Sequence, residues 1–297
     1  MPDQSTVPEP PIMDSTVVFE ANLGYDPAAG IALAVLARTV PNLVVATSDE
    51  PTHRPGASHA RLLLTALGRP EVPVIPGHQL HGSHDRFLIS DLVAALADPH
   101  VDTETELARL CENSTGPVIW INAGPATTLA TLTATHPHLL DELHVTMRTG
   151  WIDTAPQNHR PINDFRLDPT AAGLVLRALS TTPRLVLDTH SDDHDGLTRA
   201  SPLYTALSDP AAPRWAQLIT VHIDRWLHLG HRSVPVDIPA TVAAALNLPD
   251  PTDIPARVYI DRDAHLHTDL DGHFVQILHT ADHSTITQWI TRILGLG

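Results

Sequence analysis

The amino-acid sequence predicts an α/β protein with a mostly parallel, Rossmann-like sheet and helices on both faces. Three observations carry this reading. Short apolar runs rich in β-branched residues recur along the chain, segments of helical period stand between them, and Gly or Pro punctuates the joins. The runs VVF, LVVA, VIWI and LVL are continuous rather than alternating, as expected of strands buried on both faces.

Ser15 to Glu20 reads as the first strand, followed by Gly24 and then by Pro27, which suits the first turn of an Ala-rich helix running to Ala37. Asn42 to Ala46 is the next strand. His59 to Leu67 is a helix ending at Gly68, and Val72 to Ile75 is a third strand. Leu88 to Leu96 is expected to be helical, Pro117 to Asn122 a strand, Thr127 to Thr135 a helix and Leu143 to Met147 a strand. Asp168 before Pro169 is an N-cap signal for a helix to Ala178, and Arg184 to Asp188 follows as a strand. Helices over Leu218 to Leu229 and Thr241 to Leu246, strands over Arg257 to Ile260 and Phe274 to Ile277, and a helix over Ser284 to Leu294 complete the chain. Residues 1–14 are polar and Pro-rich and are expected to be a disordered leader, with 15–297 a single domain.

Composition removes several function classes. With 18 Lys plus Arg against 34 Asp plus Glu, the formal charge is −16, which disfavours nucleic acid and anionic membranes as partners. All the basic residues are Arg, so a Schiff-base lysine and a phosphate-loop lysine are excluded. No stretch approaches the roughly 20 apolar residues of a membrane span. The single Cys111 can make no internal disulfide, which fits a cytoplasmic protein.

Ligand sites in such sheets lie at the carboxyl ends of the strands, which directs attention to the loops after Glu20, Ala46, Ile75 and Asn122. The segment VVFEANLGYDPAAGIALAVL, Val17 to Leu36, resembles the opening of the inosine/uridine-preferring nucleoside hydrolases, where a strand runs into the acidic motif DTDPGIDDA. Further blocks are similar in order and spacing. ASHARLLLTALGRPEVPVIPG, Ala57 to Gly77, resembles a helix, glycine, strand and glycine unit of that family. GPVIWINAGPATTLA, Gly116 to Ala130, resembles its GP-strand-TGPLTNLA block. NDFRLDPTAA from Asn163 resembles FNIxxDPEAA, and VDIPATVAAAL from Val236 resembles HDPLAVA. The resemblance implies the nucleoside hydrolase fold, hydrolysis of the N-glycosidic bond of a nucleoside or related N-riboside, and a homodimer or homotetramer. It also implies calcium.

On that resemblance, Asp26, Asp237 and the backbone carbonyl of Ala123 correspond to metal ligands. Asn22 stands where an aspartate orients the attacking water, and His81 corresponds to a histidine beside the bound nucleoside. Asp49, Asn163 and Asp164 correspond to substrate-binding positions. The departures are at Asn22, Pro27, Ile162 and Val236. Two aspartates and one carbonyl make a poor shell for an ion that takes six to eight oxygens, so calcium is expected to bind weakly or not at all. Asp26 has a second reading as the N-cap of the helix at Pro27, and His81 as a surface residue of the run His78, His81, His84. The loop from Asp188 to Asp195 has metal-binding residue types but reads as a solvated acidic loop, and Asp261 to His273 as a hairpin connection. Two functions therefore stand side by side: a divergent N-glycosidase, and a non-catalytic homologue that binds a small molecule or serves as a partner subunit.

Overall fold

A computed structural model describes residues 14–51, 53–80, 87–93, 102–150, 152–153, 163–187, 196–246, 253–279 and 283–296. The first half runs β1 (Thr16–Ala21), α1 (Pro27–Thr39), β2 (Leu43–Thr47), α2 (Pro55–Ala66), β3 (Val74–Pro76), α3 (Thr103–Glu112), β4 (Val118–Ala123), α4 (Thr127–Thr135) and β5 (Leu143–Thr149). The second half runs α5 (Asn163–Leu167), α6 (Pro169–Ala178), β6 (Arg184–Leu187), α7 (Pro202–Leu207), α8 (Arg214–His228), α9 (Asp237–Ala245), β7 (Asp253–Ile260), β8 (Leu266–Thr268), β9 (His273–His279) and α10 (His283–Leu294).

The strands form one sheet in the order β3-β2-β1-β4-β5-β6-β9-β7-β8. All neighbours from β3 to β9 pair in parallel, and β7 joins β9 and β8 antiparallel. Side-chain alternation splits β1 between two cores. Val17, Phe19 and Ala21 pack toward α1, α8, α9 and α10, whereas Val18 packs with Trp120 toward α3, α4 and α6. A strand buried on both faces needs apolar residues at every position, which is why these runs do not alternate in polarity.

Local chemistry sets the element ends. Asp26 caps α1, its Oδ1 accepting from the Ala28 amide at 2.8 Å, with Pro27 in the first turn. Asp168 caps α6 the same way through the Ala171 amide, and its Oδ2 accepts from the Thr127 hydroxyl at 2.7 Å, which ties α6 to α4. The expected helix over Leu88 to Leu96 is not seen: its described part is one 3-10 turn, Ser90–Leu92, with residues 94–96 outside the described set. Tertiary contacts override the pattern there. Phe87 and Ile89 are buried against Gly24, and Arg225 of α8 binds the Leu88 carbonyl and pairs with Asp91. The segment after Ile260 forms a tight antiparallel turn in the register Ile260↔Leu266, held by amides of Asp263 and His265 on Asp261 Oδ1.

Candidate functional site

β1 has β2 and β3 on one side and β4, β5 and β6 on the other, so the chain reverses its direction of sheet growth between β1 and β4. Ligand sites in sheets of this kind lie at the carboxyl ends of the strands beside such a reversal. The register Glu20↔Asn122 and Asn122↔Met147 brings Asn22, Ala123 and Arg148 to one rim of the sheet.

Arg148, the penultimate residue of β5, organises that rim. Its Nη1 donates to Asp237 Oδ2 at 2.7 Å, its Nε donates to Asp164 Oδ2 at 3.0 Å, and its Nη2 donates to the same Asp164 oxygen. Asp26 Oδ2 stands 3.7 Å from Nη1. All four residues are buried. Burial works against the charge on Arg148, but Asp164, Asp237 and Asp26 outweigh it and hold the guanidinium more firmly protonated than usual. Asp26 is pushed upward from the ordinary carboxyl range by burial and by Asp237, against the downward pull of Arg148 and the Ala28 amide. A guanidinium suits this post because its planar fork meets several carboxylate oxygens at once.

The carboxylates are themselves held by backbone. Asp237 opens α9, its Oδ1 accepts from the Ile238 amide at 2.9 Å, and its carbonyl accepts from the Thr241 hydroxyl at 2.9 Å. Asp26 is the N-cap of α1 through Oδ1, while its Oδ2 faces Arg148.

Beside this cluster lies a second set of buried polar groups. Glu20 Oε2 accepts from Trp120 Nε1 at 3.0 Å and from Asn122 Nδ2 at 3.1 Å. Burial pushes the Glu20 carboxyl up to about 8, against the downward pull of these two donors, which favours its protonated form at neutral pH. Among the described residues, buried Asn22 has neither its amide nitrogen nor its oxygen hydrogen-bonded, and Asn122 Oδ1 and Ser48 Oγ also find no partner. Buried polar atoms left open in this way are sites where a ligand or water completes the bonding. The loops that carry them touch closely. A Cβ on Gly124 would lie 2.1 Å from Ser48 Oγ and 3.2 Å from the Asn22 amide, and a Cβ on Gly77 would lie 2.1 Å from the Thr47 carbonyl.

The residues singled out in the sequence fare differently. Asp26, Asp164 and Asp237 converge, although Asp164 meets Arg148 and so joins the same cluster as the two expected metal ligands. Ala123 ends β4 on the same rim. Asn163 opens α5 next to Asp164. Asp49 is buried with a positive φ of 54°, and its Oδ1 accepts from the Leu80 amide at 3.0 Å, a loop-fixing bond. His81, Ile162 and the Asp188–Asp195 loop lie outside the described residues.

Arg148 is the residue that sequence reading missed. The strand expected to stop at Met147 continues to Thr149, and a two-residue error at that boundary turned the hub of the site into an unremarked loop residue. The available signal was an arginine directly after LHVTM at the carboxyl end of a central strand, because a buried charge there requires partners.

The fit of a calcium ion can be tested on this geometry. The ion takes oxygens at about 2.3–2.6 Å. An ion shared by Asp26 and Asp237 would stand within about 4 Å of Arg148 Nη1, where a unit pair already interacts by roughly 4 kcal/mol at an effective dielectric of 20, and a doubly charged ion is repelled by about twice that. Among the described residues no group of three or more His, Cys, Asp or Glu is disposed to hold a metal. The side chains as placed do not fit calcium.

These features define an α/β protein with a buried cluster of polar and acidic side chains at the switch point of its sheet. Its fold is that of the nucleoside hydrolases, and the resemblance holds in sequence as well as in structure. No family model matches the chain. It is 28% identical over 251 residues to a pyrimidine-specific ribonucleoside hydrolase of Shewanella woodyi, an alignment that takes in 78% of this chain and 79% of the relative. A second enzyme of that name, from Photobacterium profundum, is 27% identical over 56% of this chain and 58% of its own. In structure, a plant nucleoside hydrolase superposes with a TM-score of 0.76 at 15% identity, covering 95% of this chain and 99% of the other. The inosine-uridine preferring nucleoside hydrolase of Bacillus anthracis gives 0.72 at 14% identity, covering 95% and 100%.

Proposed function

We propose that the chain is a divergent nucleoside hydrolase-like protein that hydrolyses the N-glycosidic bond of a ribonucleoside or related N-riboside, with calcium binding impaired. The observation that supports it best is the pairing of two features at one rim of the sheet: polar atoms of Asn22, Asn122 and Ser48 that find no partner among the described residues, and the acidic cluster of Asp26, Asp164 and Asp237. Sugar hydroxyls satisfy the former, and the latter stabilises positive charge as the glycosidic carbon becomes oxocarbenium-like. Asn22 holds the attacking water by its side-chain amide. Asp26 is the carboxylate poised to take its proton, because burial and Asp237 raise its basicity. On this reading His81 assists the departing base, and Asn163 and Asp49 bind the sugar. A location in the cytoplasm, where the buried thiol of Cys111 stays reduced, and a homodimer or homotetramer complete the proposal.

The Arg148 ion pairs favour a second reading. Three carboxylates drawn onto one guanidinium have spent much of their capacity to act on a substrate, as expected of a non-catalytic homologue that binds a small molecule or a partner subunit. One experiment separates the two. Incubation with uridine, cytidine, inosine and adenosine, with release of free base followed chromatographically, gives turnover on the hydrolase reading. A thermal shift by nucleosides with no base released supports the binding protein, and neither response contradicts both.

A further inference from the structure

We propose that the Arg148 guanidinium is the resident cation of this site, cross-linking its acidic loops in place of a divalent metal ion. The inference rests on the functional reading above for placing these aspartates at the ligand end of the sheet. Its test contains no nucleoside, so failure of hydrolysis and failure of this proposal are told apart.

The first support is convergence. Asp26 comes from the β1–α1 loop, Asp164 from α5 and Asp237 from the start of α9, three elements far apart in sequence, and one side chain from β5 meets them all. Joining distant acidic loops is what a bound divalent ion does for a fold, and a planar cation with several donors does it with fixed geometry. The second is orientation. Asp26 and Asp237 each give Oδ1 to a backbone amide at a helix start, which aims Oδ2 of both at the same guanidinium nitrogen. The third is charge. Asn22 and Pro27 supply no carboxylate to the loop that carries Asp26, so that loop offers one anionic side chain where a divalent ion takes several, whereas the guanidinium already meets all three aspartates.

The test uses the full chain, freed of metal with a chelator, as wild type and Arg148→Ala. Calcium is titrated by calorimetry, and melting is followed in chelator and in calcium. Wild type is expected to show neither heat nor a melting shift up to millimolar calcium. Arg148→Ala is expected to melt lower in chelator, to regain part of the loss in calcium, and to bind the ion at least about tenfold more tightly than wild type, because the released carboxylates then form the site. Micromolar calcium binding by wild type that is lost in Asp237→Asn overturns the proposal. So does a folded Arg148→Ala that binds calcium no better than wild type. Arg148→Met, which keeps the bulk without the charge, stands in should the alanine variant not fold. If neither folds even in calcium, the ion cannot replace the arginine and the proposal fails.

Discussion

Arg148 Nη1 and Asp237 Oδ2, 89 residues apart in the chain, meet at 2.7 Å where β5 ends and α9 begins. Buried pairs of this kind contribute little net stability as assembled, but breaking one strands the remaining charge. Arg148→Ala should therefore cost about 3–5 kcal/mol in urea unfolding. Asp237→Asn should cost less, roughly 1–3 kcal/mol, because Arg148 keeps Asp164. A double-mutant cycle should show strong coupling, and strictly additive effects would mean that the two side chains do not act as a pair.

Glu20 makes stability fall as pH rises from about 4.5 to about 8. Its carboxyl is raised from 4.5 to about 8 by burial, so the folded chain keeps a proton that the unfolded chain releases. The associated stability is full below about pH 4.5 and falls as pH rises through 8, by a few kcal/mol in all. Glu20→Gln, which offers the same acceptor to Trp120 and Asn122, should flatten this fall between pH 5 and about 9 in denaturation series. Parallel curves for the two proteins would show that Glu20 does not carry the proton.

The acid limb has another source. His59 and His222 pack edge to face with ring centroids 5.7 Å apart, and the His222 ring faces the Tyr25 carbonyl at 3.1 Å. Burial lowers His59 from 6.5 to about 4, and burial together with His59 lowers His222 to about 3. Here the unfolded chain takes up protons that the folded chain refuses, so stability is lost as pH falls below about 6.5 and the loss levels off below about 3. His222→Asn should weaken that decline, measured as the change in unfolding free energy between pH 7 and about 5.

Two glycines should respond oppositely to alanine. On α1 a Cβ at Gly30 meets nothing closer than 3.8 Å, and Gly30→Ala should stabilise the helix by up to ~1 kcal/mol. Gly124→Ala puts its Cβ 2.1 Å from Ser48 Oγ and should destabilise by about 1–3 kcal/mol while disturbing the Asn22 loop. Melting temperatures moving in the same direction for both would contradict the packing described.

The fold was legible because its signals are local. Continuous apolar runs mark the strands, Asp26-Pro27 and Asp168-Pro169 mark helix starts, and the observed bounds of α4, Thr127–Thr135, match the sequence reading. Elements governed by tertiary contact were less legible: α3 buries Thr103, Leu107, Ala108 and Cys111 in an otherwise polar segment, and β7 begins at Asp253 on a half-exposed, irregular pattern. At the site, Asp26, Asp164 and Asp237 were legible as acidic residues at motif positions, but what they face was not. That depends on a side chain from β5 meeting loops distant in sequence, and no spacing rule encodes it. The upward shift of the Glu20 carboxyl was hidden for the same reason, since it follows from burial among elements distant in sequence, where Trp120 and Asn122 meet it.

A crystal structure grown in millimolar calcium bears most directly on the role of Arg148. The guanidinium should remain bonded to Asp164 and Asp237, with no metal density between Asp26 and Asp237. A calcium ion bound by both aspartates, with Arg148 turned away from them, would contradict the arginine as the cation of this site.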